Sequence, residues 1–544
     1  MAVASVTALA AGLVYAGSAL TPASAAAASS TLVVNASQNL RPVTHVASGS
    51  LYGLANATQP TVALAQAIKP NTFVQMPMGG KQQPTGDISV VAPTAVSVGA
   101  KLVNRLSDYY AGWPYQFSWN TWTPFVNSQI AAMKSSSYYN SISAYELWNE
   151  SDNTWKSANG TYESFWTTTF RQVRSLDPNK PIQGPSFSDN INDMENFLRN
   201  AVATNTVPDV LAWHELISSS KIAGDVAKVQ AIEDRLGISR RPIAIEEYAA
   251  PAEVGLPGPL VGYVAKFERL GIRDAELPFW NQSGALGDLL TGRGGSPNAA
   301  YWMYTWYAAM SGTMVVTTPP AQTGIDGFAA VPSGNNQVSI VAGNCSGSCA
   351  VQVNGLNALA LGGTVNVKVE QTVSQGRTVA SSGPSTISTS VYTPSNGSIN
   401  VPITMATNNA YRITITPAGG TPTTPPTTPP TTPPTTPPTT PPTSPPAGAG
   451  CTASVSLNQW NGGFVATVRV TAGSTPLTGW TTGLTLPSGS AVTSAWNATA
   501  QGSSGPVSFT NVAYNGSVPA GGYVEFGFQG TGAGPSAGPT CSAR

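Results

Sequence analysis

The chain of 544 residues carries little charge. Lys and Arg number 25, Asp and Glu number 25, and together they are only 9% of the residues, where an average soluble protein has roughly 25%. A nucleic-acid-binding protein needs a basic surface that replaces the counterions of phosphate, so a net charge of zero argues against one. It also argues against a polybasic membrane-surface protein. The 13 Trp, 18 Tyr and 14 Phe indicate a surface of rings, hydroxyls and amides, which suits neutral sugars.

Histidine and cysteine are scarce as well. The chain has two histidines, His45 and His214, and four cysteines, with neither a CxxC nor an HExxH spacing. Transition metals are held by clusters of such ligands, so we expect no metal site. A nucleotide-binding glycine loop is also missing from the sequence, and no cofactor is expected.

No charged residue occurs before Arg41. The preceding stretch is apolar and rich in alanine, and Ala23-Ser24-Ala25 fits the small residues that signal peptidase requires. We therefore predict an export signal over residues 1–28 and a secreted, extracellular protein whose cysteines pair as disulfides. The alternative is a membrane anchor, which Pro22 and the many small residues disfavour.

The composition changes at a run of Thr-Thr-Pro-Pro repeats. Residues 419–450 are predicted to be a Pro/Thr-rich linker, because the repeats have no core-forming side chains and proline favours the polyproline II conformation. Residues 451–544 consist of short alternating runs broken by Gly, Pro, Ser and Asn, which predicts an all-β sandwich. Residues 315–418 show the same alternation and are predicted to form another β-sandwich.

Residues 29–314 alternate eight short apolar runs with amphipathic stretches. The runs begin near residues 49, 72, 101, 144, 181, 210, 242 and 274, and helices are predicted after most of them, for instance over 162–176 and 222–236. Eight such units favour an α/β fold of the (β/α)8 TIM-barrel type. A doubly wound sheet would give the same alternation, but no glycine fingerprint follows the first run.

Glutamates stand where two of these runs end. Run four ends in Trp148-Asn149-Glu150 and run seven in Glu246-Glu247-Tyr248, and the functional site of a TIM barrel lies at the carboxyl ends of its strands. Two carboxyl groups about 5 to 5.5 Å apart can cleave a glycosidic bond with retention of configuration. By composition alone, a glutamate at a strand end would more often be a surface ion-pair partner.

Trp-Asn-Glu after run four and a Glu before an aromatic after run seven resemble clan A glycoside hydrolases. Gly184-Pro185 and the sandwich after the barrel make family 39, typified by β-xylosidases, the most similar family. The resemblance covers about 40–418 and implies that Glu150 is the acid/base, Glu247 the nucleophile and Asn149 a ligand of the sugar 2-hydroxyl. Glu246 is then expected to be a satisfied structural acid, because alternation points adjacent strand side chains opposite ways.

Four more side chains at strand ends are predicted to bind substrate. His214 ends run six, where clan A enzymes often keep a histidine, and a buried core imidazole is the alternative. Trp280 ends run eight and would stack on a sugar ring, unless it is a core residue. Arg105 ends run three and would bond the nucleophile, unless it forms a structural ion pair. Tyr248, next to the nucleophile, completes the set.

The last 94 residues resemble a family 2 carbohydrate-binding module over their whole length, through the motifs NQWNGGF, GW, SAWN and YNG. The resemblance implies that Trp460, Trp496 and Tyr514 form a flat row of rings on crystalline cellulose. Asn458 and Gln529 would add hydrogen bonds, with solvent-facing turn residues as the alternative.

The four cysteines are expected to form two disulfides. Cys345 and Cys349 bracket Ser-Gly-Ser and would staple a tight turn, since no basic neighbour lowers a thiol pKa as a redox site requires. Cys451 and Cys541 lie at the two ends of the terminal module, so a bond between them would close nearly all of it.

These features predict a secreted, retaining glycoside hydrolase of plant cell-wall polysaccharide, with hemicellulose such as xylan as the first expectation. The alternatives are an endo-acting mannanase or glucanase, an exo-acting xylosidase or arabinosidase, and a non-catalytic carbohydrate-binding protein. The expected partners are polysaccharide and a cellulose surface, without nucleic acid or membrane, and the chain is expected to be a monomer.

Overall fold

The computed structural model describes residues 30–418, 450–460, 463–496, 498–512 and 515–543. The predicted export signal and nearly all of the predicted linker lie outside the described residues. The chain divides into two compact units, Met1–Thr427 and Thr428–Arg544, and each is described by itself.

Eight strands of the first unit close into a parallel barrel. Strand β1 (Thr31–Pro42) precedes them and belongs to another sheet. The barrel strands are β2 (Gly49–Leu51), β3 (Thr72–Gln75), β4 (Lys101–Arg105), β5 (Ile142–Glu146), β6 (Ile182–Phe187), β7 (Val210–Glu215), β8 (Ile243–Tyr248) and β9 (Asp274–Leu277). Each coincides with a predicted apolar run, so the TIM barrel is confirmed and the doubly wound alternative is wrong.

Helices follow the strands and pack their apolar faces on the barrel. They are α1 (Val62–Ala67), α2 (Ile88–Ser97), α3 (Trp119–Ser135), α4 (Ser151–Thr154), α5 (Tyr162–Leu176), α6 (Met194–Thr204), α7 (Ile222–Leu236), α8 (Pro257–Leu270) and α9 (Ala299–Ala308). Helix α5 shows why they form: the Thr161 side chain caps its first turn, and Phe165, Phe170 and Val173 are buried along one face. None of the helices in the described residues has the length and apolar character needed to cross a bilayer.

Gly49 lets the short strand β2 approach its neighbours closely. A Cβ at this position would lie 2.8 Å from the carbonyl oxygens of Thr72 and Ala275 and 2.9 Å from Cγ of Glu276. Only glycine fits there without a shift of the surrounding backbone.

A nine-stranded sheet forms the sandwich of the first unit. Its strands run in the order β15-β14-β17-β12-β11-β10-β1-β13-β16. Their bounds are β10 (Thr313–Thr318), β11 (Asp326–Val331), β12 (Val338–Gly343), β13 (Gly347–Asn354), β14 (Val365–Thr372), β15 (Ser385–Tyr392), β16 (Ile399–Met405) and β17 (Ala410–Pro417). Ion pairs from Lys266 (2.9 Å) and Arg269 (2.8 Å) of α8 to the buried Asp326 of β11 join the barrel to this sheet.

The structure corrects one predicted boundary. The sequence predicts that residues 29–314 form the barrel domain, but β1 pairs with β10 and β13 of the sandwich. Strand β1 belongs there because every second side chain near its start is apolar: Leu32, Val34 and Ala36 are buried in the sandwich core.

The second unit is a sandwich of two four-stranded sheets, β18-β19-β24-β21 and β22-β23-β20-β25. The bounds are β18 (Cys451–Trp460), β19 (Gly463–Ala472), β20 (Trp480–Thr485), β21 (Ala491–Trp496), β22 (Ala498–Gln501), β23 (Pro506–Asn511), β24 (Tyr523–Thr531) and β25 (Thr540–Ala543). The predicted all-β module is confirmed, as are both disulfides, Cys345–Cys349 and Cys451–Cys541.

Candidate active site

Glu247 lies at the carboxyl end of β8, next to an irregularity in its pairing with β7. Trp213 pairs with Ile245, but the next pair is His214 with Glu247, so Glu246 is an extra residue. Nε2 of His214 lies 3.8 Å from a carboxylate oxygen of each of the two glutamates. Both acids therefore face the same imidazole, and the predicted opposite orientation of Glu246 and Glu247 is wrong.

Glu246 is fully buried and only partly satisfied. One of its carboxylate oxygens accepts a hydrogen bond from Nε2 of Gln183. The other, Oε2, has no hydrogen-bond partner among the described residues. The prediction of a fully satisfied structural acid is therefore wrong for this oxygen.

The loop after β5 holds Glu150 in an uncommon conformation. Its φ is +47°, in the left-handed region that non-glycine residues seldom adopt. The backbone N–H of Glu150 donates to the carbonyl of Ser186 (2.8 Å), and the ring of Trp148 packs against Phe165 with centroids 5.0 Å apart. Such conformations persist where the surrounding structure fixes them, and they cluster at functional sites.

Glu150, His214 and Glu247 meet at the top of the barrel, with one ligand-type atom of each within 4.8 Å of the others. Nδ1 of His214 lies 2.9 Å from Oε1 of Glu150. Arg105 donates from Nη1 to Oε1 of Glu247 (2.9 Å) and from Nε to Oε2 of Glu146 (2.8 Å). The spacing would suit a cation as well, but the hydrogen bond to His214 and the ion pair with Arg105 already engage these atoms.

Burial and charge set the pKa directions of this cluster. Burial acts to raise the pKa of Glu150, but the hydrogen bond and the charge of His214 outweigh it and hold that pKa below its ordinary value. Burial acts to lower the pKa of His214, but Glu247 and Glu150 outweigh it and raise that pKa. Both shifts favour an imidazolium paired with a carboxylate.

A cavity of about 260 Å³ opens above these groups. Its walls are Leu51, Tyr52, Gln82, Gln83, Arg105, Trp113, Tyr115, Asn149, Glu150, Leu216, Glu247, Pro278, Phe279 and Trp280. Trp113 and Trp280 are about half exposed, at 52% and 42%. The predicted Asn149, Arg105 and Trp280 thus lie on the cavity wall, and His214 lies directly behind Glu150.

Sequence reasoning missed two parts of the wall. Trp113 follows Gly112 in the loop after β4, and the run of aromatic residues in this loop was the available signal. Tyr52 and Tyr115 both donate their hydroxyls to Asp108, at 2.8 Å for Tyr115. Asp108 is fully buried, which raises its pKa to about 6.

The structure contradicts the predicted substrate contact of Tyr248. Its side chain is fully buried among the helices outside the barrel, and its hydroxyl donates to the carbonyl of Ala47 at 2.6 Å. The residue follows Glu247 along the strand and therefore points to the other face of the sheet.

The side chains of the predicted cellulose-binding row of rings lie outside the described part of the structure. Tyr514 and the side chains of Asn458, Trp460 and Trp496 are not among the described groups. Gln529 is exposed on β24, as a surface contact requires.

Comparison with known proteins finds relatives of both units. Residues 450–543 match the cellulose binding domain family, which confirms the predicted carbohydrate-binding module. The structure of N2152 from Neocallimastix frontalis is 34% identical, has a TM-score of 0.68 and covers 71% of this chain and 99% of its own. The chain belongs to the same family as N2152.

More distant relatives agree in fold. The GH39 enzyme from Xanthomonas axonopodis pv. citri is 14% identical, covers 73% of this chain and 100% of its own, and has a TM-score of 0.54. The predicted likeness to family 39 is thus confirmed as a likeness of fold. A 3-O-alpha-D-galactosyl-alpha-L-arabinofuranosidase from Bifidobacterium longum subsp. longum is 24% identical over 68% of this chain, which spans 39% of that relative.

Proposed function

We propose that the first unit is a retaining glycoside hydrolase in which Glu247 is the nucleophile and Glu150 the acid/base. The spacing of the two groups carries the proposal, because oxygens of both lie within 4.8 Å at the carboxyl end of the barrel. Retaining enzymes place their carboxyl groups about 5 to 5.5 Å apart, whereas inverting enzymes need about 6.5 to 9.5 Å to admit a water molecule.

The proposed reaction has two displacements. Glu247 attacks the anomeric carbon while Glu150 gives a proton to the glycosidic oxygen. The bond between the anomeric carbon and the glycosidic oxygen breaks. Glu150 then takes a proton from water, which attacks the glycosyl-enzyme and frees both the sugar and Glu247. Arg105 positions the nucleophile, because its buried guanidinium forms an ion pair with the carboxylate of Glu247 at 2.9 Å.

The cavity supports exo action on a terminal sugar of a plant polysaccharide. Its volume of about 260 Å³ is below the roughly 300 to 1,000 Å³ of sites for drug-sized ligands. The name of the Bifidobacterium relative favours a terminal α-L-arabinofuranosyl unit as the substrate, rather than the xylosyl unit of xylan that the sequence suggested first. Trp113 and Trp280 would stack on the substrate.

The second unit is proposed to bind cellulose, on the strength of its family match. Two disulfides support a secreted protein, since such bonds persist in oxidising compartments. The enzyme would thus act on polysaccharide side chains while held near a cellulose surface.

The test is sugar release from aryl glycosides of α-L-arabinofuranose, β-D-xylose, β-D-mannose and β-D-glucose and from plant polysaccharides. Glu150→Ala and Glu247→Ala should each lower the rate by several orders of magnitude, whereas the matched Glu163→Ala on α5 should not. Azide should give a glycosyl azide of retained configuration with Glu150→Ala and of inverted configuration with Glu247→Ala. Wild-type protein without activity on any substrate, or an active Glu247→Ala variant, would contradict the proposal.

A further inference from the structure

Glu246 is a buried acid beside the site that the two displacements do not use. Its Oε2 faces Nε2 of His214 at 3.8 Å, and neither atom has a hydrogen-bond partner within the described part of the chain. N–H···O hydrogen bonds form at about 2.7 to 3.2 Å, so a shift of about 1 Å would join them. Two unpartnered buried atoms that face each other indicate a donor and an acceptor.

The surroundings of Glu246 place a nitrogen atom of a neighbouring side chain opposite each of its oxygens. Oε1 of Gln183 accepts from Nη2 of Arg273 at 2.9 Å, which turns the amide N–H of Gln183 towards Oε1 of Glu246. Both oxygens of Glu246 therefore face donors. Asp274, the acid below it in the barrel, is paired with Arg273 (2.9 Å).

The neighbouring Glu276 has the opposite environment. Neither of its oxygens has a hydrogen-bond partner among the described residues. Burial, with the charges of Asp274 and Glu246, raises the pKa of Glu276 well above its ordinary value. Within the described residues, Glu276 thus lacks the hydrogen-bond donor that Gln183 supplies to Glu246. Glu146, the remaining acid that faces Glu246, is paired with Arg105 (2.8 Å).

The other edge of the imidazole faces the proposed acid/base. Nδ1 of His214 lies 2.9 Å from Oε1 of Glu150, and Glu247 and Arg105 are the other charged groups that act on the ring. The lowered pKa of Glu150 favours its ionised form in the free protein, yet Glu150 must hold a proton when the glycosidic bond breaks. The proton nearest to it is the one on Nδ1 of His214.

We propose that Glu246 acts with Glu247 and Glu150 to keep His214 in the imidazolium form, and that His214 passes its Nδ1 proton to Glu150 as the glycosidic bond breaks. The Nδ1–H bond breaks and an O–H bond forms on Glu150, which then gives this proton to the leaving oxygen. The neutral imidazole keeps its Nε2 proton, which faces Glu246. In the second displacement the proton from water returns through Glu150 to Nδ1. Glu246 is thus a positioning residue, and the transfer step rests on the proposed function.

Histidine NMR can test the charge coupling without any substrate. The chain has only two histidines, and burial lowers the pKa of His45 to about 4, which separates the two titrations. Glu246→Gln keeps the shape of the side chain and removes its charge, so the pKa of His214 should fall by about one to three pH units. Glu276→Gln is the matched control and should leave that pKa unchanged, because the acids within 4 Å of the His214 ring nitrogens in the described residues are Glu150, Glu246 and Glu247. An unchanged His214 pKa in Glu246→Gln would overturn the proposal.

The pH profile of kcat/KM, which reports the free enzyme, tests the proton transfer. In Glu246→Gln the basic limb of this profile should move to lower pH by the same amount as the His214 pKa, whereas a purely structural role would lower kcat/KM at every pH. Glu246→Asp keeps the charge and should retain the wild-type limb, and its His214 titration decides the proposal if the Gln variant does not fold. A basic limb at the same pH in Glu246→Gln would overturn the relay. Wild-type protein without activity would refute the proposed function, while the NMR titration would still decide the coupling.

Discussion

Replacement of Asp108 by Asn should change how stability depends on pH. Asp108 accepts hydrogen bonds from Tyr52 and Tyr115, and burial raises its pKa from 3.8 to about 6. The folded protein therefore binds this proton more tightly than the unfolded chain does. The resulting stabilisation is complete below about pH 3.8 and is lost as the pH rises through about 6.

The size of the effect follows from the pKa difference. About two pH units correspond to about 3 kcal/mol in the free energy of unfolding. Because Asn has no proton to lose, the stability of Asp108→Asn relative to the wild type should improve by about 3 kcal/mol between pH 4 and pH 7.

Urea denaturation of the full chain at a series of pH values measures this difference. The unfolding transition of the first unit should be followed. The matched control is Asp193→Asn at an exposed position, whose difference from the wild type in the free energy of unfolding should not change with pH. A flat difference for Asp108→Asn would refute the reasoning, because the acid would then have the same pKa in both states. The same variant should raise KM, since Tyr52 and Tyr115 line the cavity.

Three further changes give distinct expectations. Trp113→Ala should raise KM roughly fivefold with little change in kcat, because a stacked ring contributes about 1 kcal/mol to binding; an unchanged KM for every substrate would contradict the stacking role. Ser in place of Cys451 and Cys541 should destabilise the second unit by about 4.5 kcal/mol in chemical denaturation, since the bond spans 90 residues. The same change at Cys345 and Cys349, 4 residues apart, should cost the first unit about 2 kcal/mol, and equal losses for the two bonds would contradict the loop-length argument.

The barrel could be predicted because each strand is a short apolar run bounded by turn residues. The helices at 162–176 and 222–236 were predictable for the same reason, from the spacing of their apolar faces. The place of β1 was not predictable. Its alternation indicates a strand, but its partners β10 and β13 lie about 280 and 320 residues further along the chain, and no local pattern specifies such a pairing.

The meeting of Glu150 and Glu247 could be predicted, because each glutamate lies at the end of an apolar run and the carboxyl ends of barrel strands meet at one face. For Arg105 the sequence suggested either a bond to Glu247 or a structural ion pair. Its guanidinium makes both contacts, one to Glu247 and one to Glu146. Asp108 could not be predicted as part of the site. It lies just beyond the end of a strand, and only the fold brings Tyr52 to its carboxylate, 56 residues away.

Glu246 shows most clearly what strand periodicity leaves open. A period of two turns adjacent side chains to opposite faces, so Glu246 would face the helices if Glu247 faced the site. One extra residue in β8 removes this restriction and brings both acids to within 3.8 Å of the same imidazole nitrogen. An acid among the helices could not add to the effect of Glu247 and Glu150, which raise the pKa of His214. The proposed role of Glu246 therefore depends on this irregularity, which the sequence of Glu246 and Glu247 alone does not reveal.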